Sequence, residues 1–116
     1  MGRSRSALAY LADIIDACRL IEGFLVGVDE AAYLKSDEKR SAVERQFLII
    51  GEAVAALRRQ SPELAESISQ ANFIVGFRNV LAHDYASVDD QSVYATAIGD
   101  VPRLRGECEA LLERAD

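Results

Sequence analysis

The chain has no tryptophan, one histidine, two cysteines and two prolines among its 116 residues, and its positive charges are outnumbered. Each scarcity removes a class of protein. Cys18 and Cys108 stand far apart, each among apolar neighbours, which is the pattern of two reduced core thiols in a cytosolic protein. Two cysteines and one histidine make no recognisable ligand spacing, so no metal site and no cofactor are expected. Two prolines and few aromatics, against many Ala, Leu, Glu and Arg, favour helix over strand. The formal net charge of −6 argues against a broad nucleic-acid surface, so any RNA contact must rest on a local basic cluster. No long apolar run is uninterrupted: Asp13, Asp16, Arg19 and Glu22 break up the stretch ahead of Gly27, which excludes a signal-peptide core and a membrane span. Gly2 and Ser6 fit the loose myristoylation pattern, which by itself decides nothing. No repeat or low-complexity segment is present. The length fits one domain, residues 1–116, with enough surface to bury for a core without staples, and the protein reads as cytoplasmic.

What is there is helical periodicity. Leu8, Leu11, Ile15 and Cys18 recur at steps of three and four over residues 6–26, an amphipathic helix that Gly27 can stop. Asp29 caps a short segment to residue 34. Ser36 caps a long helix to residue 60, with Asp37 and Glu38 in its first turn, Arg58 and Arg59 in its last, and Val43, Phe47, Ile50, Val54 and Leu57 on one stripe. Ser61 as cap and Pro62 as first residue predict a shorter helix to about residue 69. Residues 72–82 are apolar apart from Arg78 and Asn79 and read as a buried helix. The last block, residues 89–114, carries Val93, Ala97, Val101, Leu104, Cys108 and Leu111 on one stripe, with Pro102 expected to kink or split it. The expected fold is all-α, an antiparallel up-and-down bundle of four or five helices.

Chemistry concentrates in one place. Arg78, Asn79, His83, Asp84 and Tyr85 put a cation, an amide, an imidazole, a carboxylate and a phenol within eight residues, at the end of an apolar run. At about 100° per residue, Arg78 and His83 lie roughly 140° apart on one helix and do not share a face. Asn79 and His83 do share one, and Arg78 and Tyr85 nearly eclipse. A site using Arg78 with His83 therefore needs a bent helix end or a second subunit, which a symmetric dimer supplies.

The segment Arg78-Asn-Val-Leu-Ala-His83-Asp-Tyr85 resembles the Arg-X4-His-X-Tyr signature of HepT-type toxins, within the HEPN superfamily of higher-eukaryote and prokaryote nucleotide-binding domains. The likeness covers nearly the whole chain. Tyr10-Leu-Ala-Asp-Ile-Ile-Asp-Ala17 is similar to the family's first helix, and Ala42-Val-Glu-Arg-Gln-Phe-Leu-Ile-Ile-Gly-Glu-Ala53 to its second long helix. Val88-Asp89 after the motif also fits. The departure is Asn72-Phe73-Ile74, where family members often carry tryptophan; Phe73 can fill that packing role.

The resemblance implies a metal-independent endoribonuclease acting as the toxin of a type II toxin–antitoxin system. It implies a homodimer, an RNA substrate, and an MntA-like minimal nucleotidyltransferase antitoxin, with no membrane partner. Attack by a ribose 2′-hydroxyl needs a proton shuttle, which suits His83, since an imidazole ordinarily titrates at about 6.5. It also needs a cation for the phosphorane-like transition state, which suits Arg78. Asn79 either orients the phosphate or His83, or braces the local backbone. Asp84 reads more readily as a solvated helix-end residue than as a catalytic one. Tyr85 is either a half-buried aromatic or, as the resemblance implies, the hydroxyl that the antitoxin AMPylates. Glu52 either faces the motif and pairs with Arg78 or Arg45, beside a Gly51 that lets a helix approach, or is a surface acid. Arg40, Arg45, Arg58 and Arg59 are the local candidates for RNA backbone contacts. Two other readings remain: a non-catalytic regulatory or nucleotide-binding module that is partner and substrate of a nucleotidyltransferase, and a plain dimerisation adaptor.

Overall fold

Side-chain caps set where the longer helices begin. In the computed structural model, which describes residues 6–115, α1 (Ala7–Phe24) starts where the Ser6 side chain accepts from the Ala9 N–H at 3.1 Å. Asp29 caps α2 (Glu30–Lys35) through the Ala32 N–H at 2.9 Å, and Ser36 caps α3 (Asp37–Gln60) through that of Lys39 at 3.1 Å. Each such cap satisfies a donor that a helix start otherwise leaves to water. Asp37 and Glu38 in the first turn of α3 and Arg58 and Arg59 in its last complement the helix dipole. Gly27, at φ +71°, turns the chain between α1 and α2 in a conformation that a side chain disfavours. The basic start, residues 1–5 with Gly2 of the acylation pattern, lies outside the described residues.

After Gln60 the structure departs from expectation. Ser61 makes no side-chain cap bond, and α4 (Pro62–Ala65) is one turn long rather than reaching residue 69. The chain tightens there: Ser67 N–H bonds to the Leu64 carbonyl and Ile68 N–H to that of Ala65, both three residues back. The tight turn buries Ile68 and presents the Ser69 N–H to the Glu107 carboxylate at 3.1 Å. Next comes α5 (Ala71–His83), followed by a 3₁₀ turn (Tyr85–Ser87). The final block splits into α6 (Asp90–Gly99), capped by Asp89, and α7 (Val101–Ala115). The break falls at Asp100, so Pro102 is the second residue of α7, where its missing N–H costs no helical bond.

These seven helices, with no strand among the described residues, form an all-α bundle. The five long ones are those the periodicity predicts; α2 and α4 are connecting pieces of six and four residues. The central pair is α1 and α3, with α7 packed on α1 and α5 on α3. Contacts across two seams run in opposite chain directions. Arg58 meets Asn72 and Glu52 meets Arg78, while Arg19 meets Glu109 and Glu22 meets Arg105. Both pairs are therefore antiparallel. The expected stripes of α3, α6 and α7 are buried throughout, and on α1 only Leu8 reaches solvent. Cys18 and Cys108 are free and buried; burial pushes the Cys108 thiol up to about 12 and raises Cys18 as well, so both stay protonated. No helix among the described residues is long and apolar enough to cross a membrane.

α5 is the exception to the expected burial. Only Ile74 and Leu81 are buried, while Phe73 and Val80 are 47% and 38% exposed. Among the helices it packs chiefly on α3, and its opposite side is exposed.

The bundle rests on side chains such as Ile50, wholly buried at mid-α3. Ile50→Ala should lower the free energy of unfolding by about 2–5 kcal/mol, through lost transfer energy and the cavity left behind. Urea unfolding followed by circular dichroism measures this; a loss below about 1 kcal/mol would show that the site collapses freely or is not core.

Candidate functional site

The site begins with a glycine. A Cβ at Gly51 would lie 2.1 Å from Cβ and 2.5 Å from Cγ of Arg78, so the α3 and α5 backbones meet at a distance only glycine allows. The contact holds the root of the Arg78 side chain against α3. From there the guanidinium reaches Glu52 Oε1 at 2.9 Å through Nη2 and Asn79 Oδ1 at 3.1 Å through Nη1. Its Nε is buried and donates to nothing among the described residues. The arginine is thus 26% exposed and held at two points, while Glu52 is 66% exposed. An open cleft of about 410 Å³ lies over this group. Arg78, Asn79 and Glu52 line it together with Arg59, Tyr10 and Asp13.

His83 is elsewhere on the same helix. It is the last residue of α5, and the helix is regular to that point, so Arg78 faces α3 while His83 stands on the uncovered side, exposed to solvent. A bent helix end does not bring the two together in one copy. Phe73, Gly76, Val80 and His83 follow one another along this uncovered side.

Beyond His83 the chain turns under local control. The Asp84 N–H bonds to the Val80 carbonyl, the Ser87 N–H to the Asp84 carbonyl, and the Ser87 hydroxyl donates to Asp84 Oδ2 at 2.8 Å. Asp84 thus braces the turn that presents Tyr85, which is 65% exposed. This overturns the half-buried aromatic reading of Tyr85. Glu44 is beside it, and its charge raises the phenol above its ordinary pKa.

Of the sequence-derived candidates, the structure brings Arg78, Asn79 and Glu52 together, and Glu52 pairs with Arg78 rather than Arg45. Asn79 orients the arginine rather than His83 or the backbone. Two of the expected RNA-contacting arginines are engaged elsewhere. Arg40 bonds to the Leu34 carbonyl and to Asp37 and lies 3.6 Å from Asp90, and Arg58 donates to Asn72 Oδ1 at 2.5 Å. Arg59, on the cleft, and Arg45 remain exposed.

Sequence reasoning passed over Glu44. It is 8% exposed, one of two polar residues buried among the described ones, and its Oε2 has no hydrogen-bond partner. Burial raises its pKa, opposed by Tyr85 and Arg40 and reinforced by Asp90. No local signal marked it, because the groups around it, Tyr33 of α2, Tyr85 of the turn and Asp90 of α6, come from segments far apart in sequence.

The profile of the family described as Ribonuclease HepT-like matches residues 14–111, most of the chain. The chain belongs to the HepT-like family. Similar proteins include one described as a probable ribonuclease HepT from Thermococcus cleftensis, 33% identical across 92% of this chain and 96% of the relative. A candidate RNase of Methanocaldococcus jannaschii is 29% identical over 90% and 95% of the two chains, and one of Caldanaerobacter subterraneus 26% over 90% and 93%. No solved structure matches significantly. Within the HepT-like family resemblance the Arg-X4-His-X-Tyr residues are Arg78, His83 and Tyr85, whose surroundings are those just described.

Two predictions follow from the packing and the buried acid. Gly51→Ala should force α5 away from α3, because the clash is with Cβ of Arg78, which cannot move without its backbone. A stability loss of about 1–3 kcal/mol and a widened Arg78–Glu52 separation in a crystal structure are expected; unchanged stability would refute the close approach. Glu44→Gln tests the acid. Its folded pKa is raised, so the native state holds a proton that the unfolded state has released, and stability falls as pH rises through this interval. The variant should be more stable than the parent at neutral pH and equal to it below the carboxylate range, as read from Tm against pH.

Proposed function

We propose that this chain is a metal-independent endoribonuclease, the toxin of a type II toxin–antitoxin pair, working in the cytoplasm as a homodimer of single HepT-like domains. The observation that carries the reading is the split on α5: a clasped guanidinium on one side and an imidazole on an uncovered apolar side, within a ribonuclease-like family. Two copies meeting along Phe73, Gly76 and Val80 would bury this apolar surface and bring two His83 side chains to one seam. Arg78 and Asn79, on the adjoining face, would then flank the same groove.

In the reaction, the ribose 2′-hydroxyl oxygen bonds to the adjacent phosphorus and the bond to the 5′-oxygen breaks. This leaves a 2′,3′-cyclic phosphate and a 5′-hydroxyl. His83 takes the 2′-hydroxyl proton in one copy and the second His83 protonates the leaving oxygen. Arg78, aimed by Glu52 and Asn79, stabilises the charge building on the phosphate oxygens. The antitoxin of this reading is a minimal nucleotidyltransferase that adds AMP to Tyr85, two residues from His83, placing bulk and negative charge at the mouth of the groove. The acidic balance of the chain and the pairing of Arg78 with an acid favour the rival, a non-catalytic partner of the transferase.

Purified protein should cut RNA to products with 5′-hydroxyl ends in the presence of a chelator. His83→Ala and Arg78→Ala should each reduce the rate by about 10²-fold or more. Val80→Glu should yield a folded monomer by light scattering and lose activity in parallel. Cleavage by the His83 and Arg78 variants at parental rates would refute the nuclease, and an inactive parent would leave the non-catalytic reading.

A further inference from the structure

The buried carboxylate beside Tyr85 has no task in RNA cleavage. Glu44, on α3, interacts with groups from three other elements: Tyr33 of α2, Tyr85 of the 3₁₀ turn and Asp90 of α6, with Arg40 one turn back on α3. Two polar atoms in this group have no hydrogen-bond partner, Glu44 Oε2 and the hydroxyl of fully buried Tyr33. The other buried polar residue, Thr96, is satisfied by the Ser92 carbonyl at 2.8 Å. Arg40 does not neutralise Glu44 by direct pairing, because Asp37, Asp90 and the Leu34 carbonyl occupy it. An acid held this way is a burden on the fold that glutamine or leucine would not carry. Its unpartnered oxygen is free to take a proton from a group beside it.

We propose that Glu44 is the proton acceptor for Tyr85, allowing this phenol to receive a nucleotidyl group from a nucleoside triphosphate at neutral pH. The inference rests on the reading of Tyr85 as the modified residue and supplies the group that reading lacks. The Tyr85 oxygen bonds to the α-phosphorus, the bond from that phosphorus to the bridging oxygen breaks, pyrophosphate departs with the electron pair, and the phenol proton passes to the Glu44 carboxylate. The same carboxylate keeps the resting phenol protonated, because its charge opposes a phenolate next to it. The proton must therefore leave during the attack, and the acceptor must be in place before the donor arrives. Tyr85 is largely exposed and Glu44 beside it is buried, so the phenol can be approached from solvent while the acid is covered.

The test compares the full chain with Glu44→Gln and Glu44→Asp. Circular dichroism establishes folding, which the glutamine variant should retain because it removes a buried charge. Tyr85 is labelled with N-acetylimidazole between about pH 6 and 8, and its rate is read by mass spectrometry against Tyr94 and Tyr10 as internal references. In a second arm each protein is incubated with ATP and a minimal nucleotidyltransferase, and the mass gain on Tyr85 is followed. Glu44→Gln should slow Tyr85 by about 10²-fold in both arms and leave the reference tyrosines unchanged, with Glu44→Asp in between. Labelling of the glutamine variant at the parental rate would overturn the proposal. So would faster labelling, which would mean that the charge only suppresses phenolate. A parent that labels in a Glu44-dependent way but gains no mass with transferase and ATP would overturn the reading of Tyr85 as acceptor while keeping the proton transfer.

Discussion

The contact between Gly51 and the side-chain root of Arg78 fixes the register of everything that matters on this molecule. A glycine inside a helix ordinarily costs about 0.5–1 kcal/mol relative to alanine, and here it stands in the middle of the longest helix. In return α5 lies directly on α3, and the antiparallel seam then matches pairs at about one spacing of seven residues: Arg58 with Asn72, Glu52 with Arg78, Glu44 with Tyr85. Seven residues return to nearly the same face of a helix, so one close approach aligns all three pairs. Shift it by a residue and the guanidinium loses Glu52, while Tyr85 leaves the buried acid.

Charge follows the same seam. A chain with a net charge of −6 presents cations to a polyanion only where its acids are committed elsewhere. Arg40 is consumed by Asp37 and Asp90 in fastening α3 to α6, and Arg105 by Glu22 and Glu109 in fastening α7 to α1. What remains on the cleft is Arg78, aimed rather than free, and Arg59. The positive groups offered to a ligand are few and their directions are set by the fold.

Much of this was legible from residue order alone. The stripe Val43, Phe47, Ile50, Val54 and Leu57 identified a core helix because one face of α3 meets α1 along its length. The same counting failed on α5. Periodicity reports which residues are apolar, whereas burial depends on how many neighbours cover them, and α5 packs chiefly on α3. The length of α4 was misread for a related reason: Ser61 and Pro62 signal a helix start, but its end was set by burial of Ile68 and by Glu107, which lies far along the chain. Glu44 was invisible as a site because its cover comes from α2, the 3₁₀ turn and α6, none of which local sequence places beside it.

The exposed side of α5 and the direction of Arg78 constrain function jointly. A regular helix cannot turn Arg78 and His83 toward one phosphate, and the α3 contact removes the freedom to rotate it. If both residues serve one reaction, the second set of groups must come from outside the copy, and Phe73 and Val80 are the apolar surface that another copy of the same helix would cover. Tyr85 then stands where the seam opens, close to His83 in sequence and next to an acid that the groove itself never reaches. Cleavage would draw on both faces of α5, Arg78 held against α3 and His83 turned outward, while Tyr85 and the acid beside it lie past the helix end, so a change to the switch need not disturb the cutting groups.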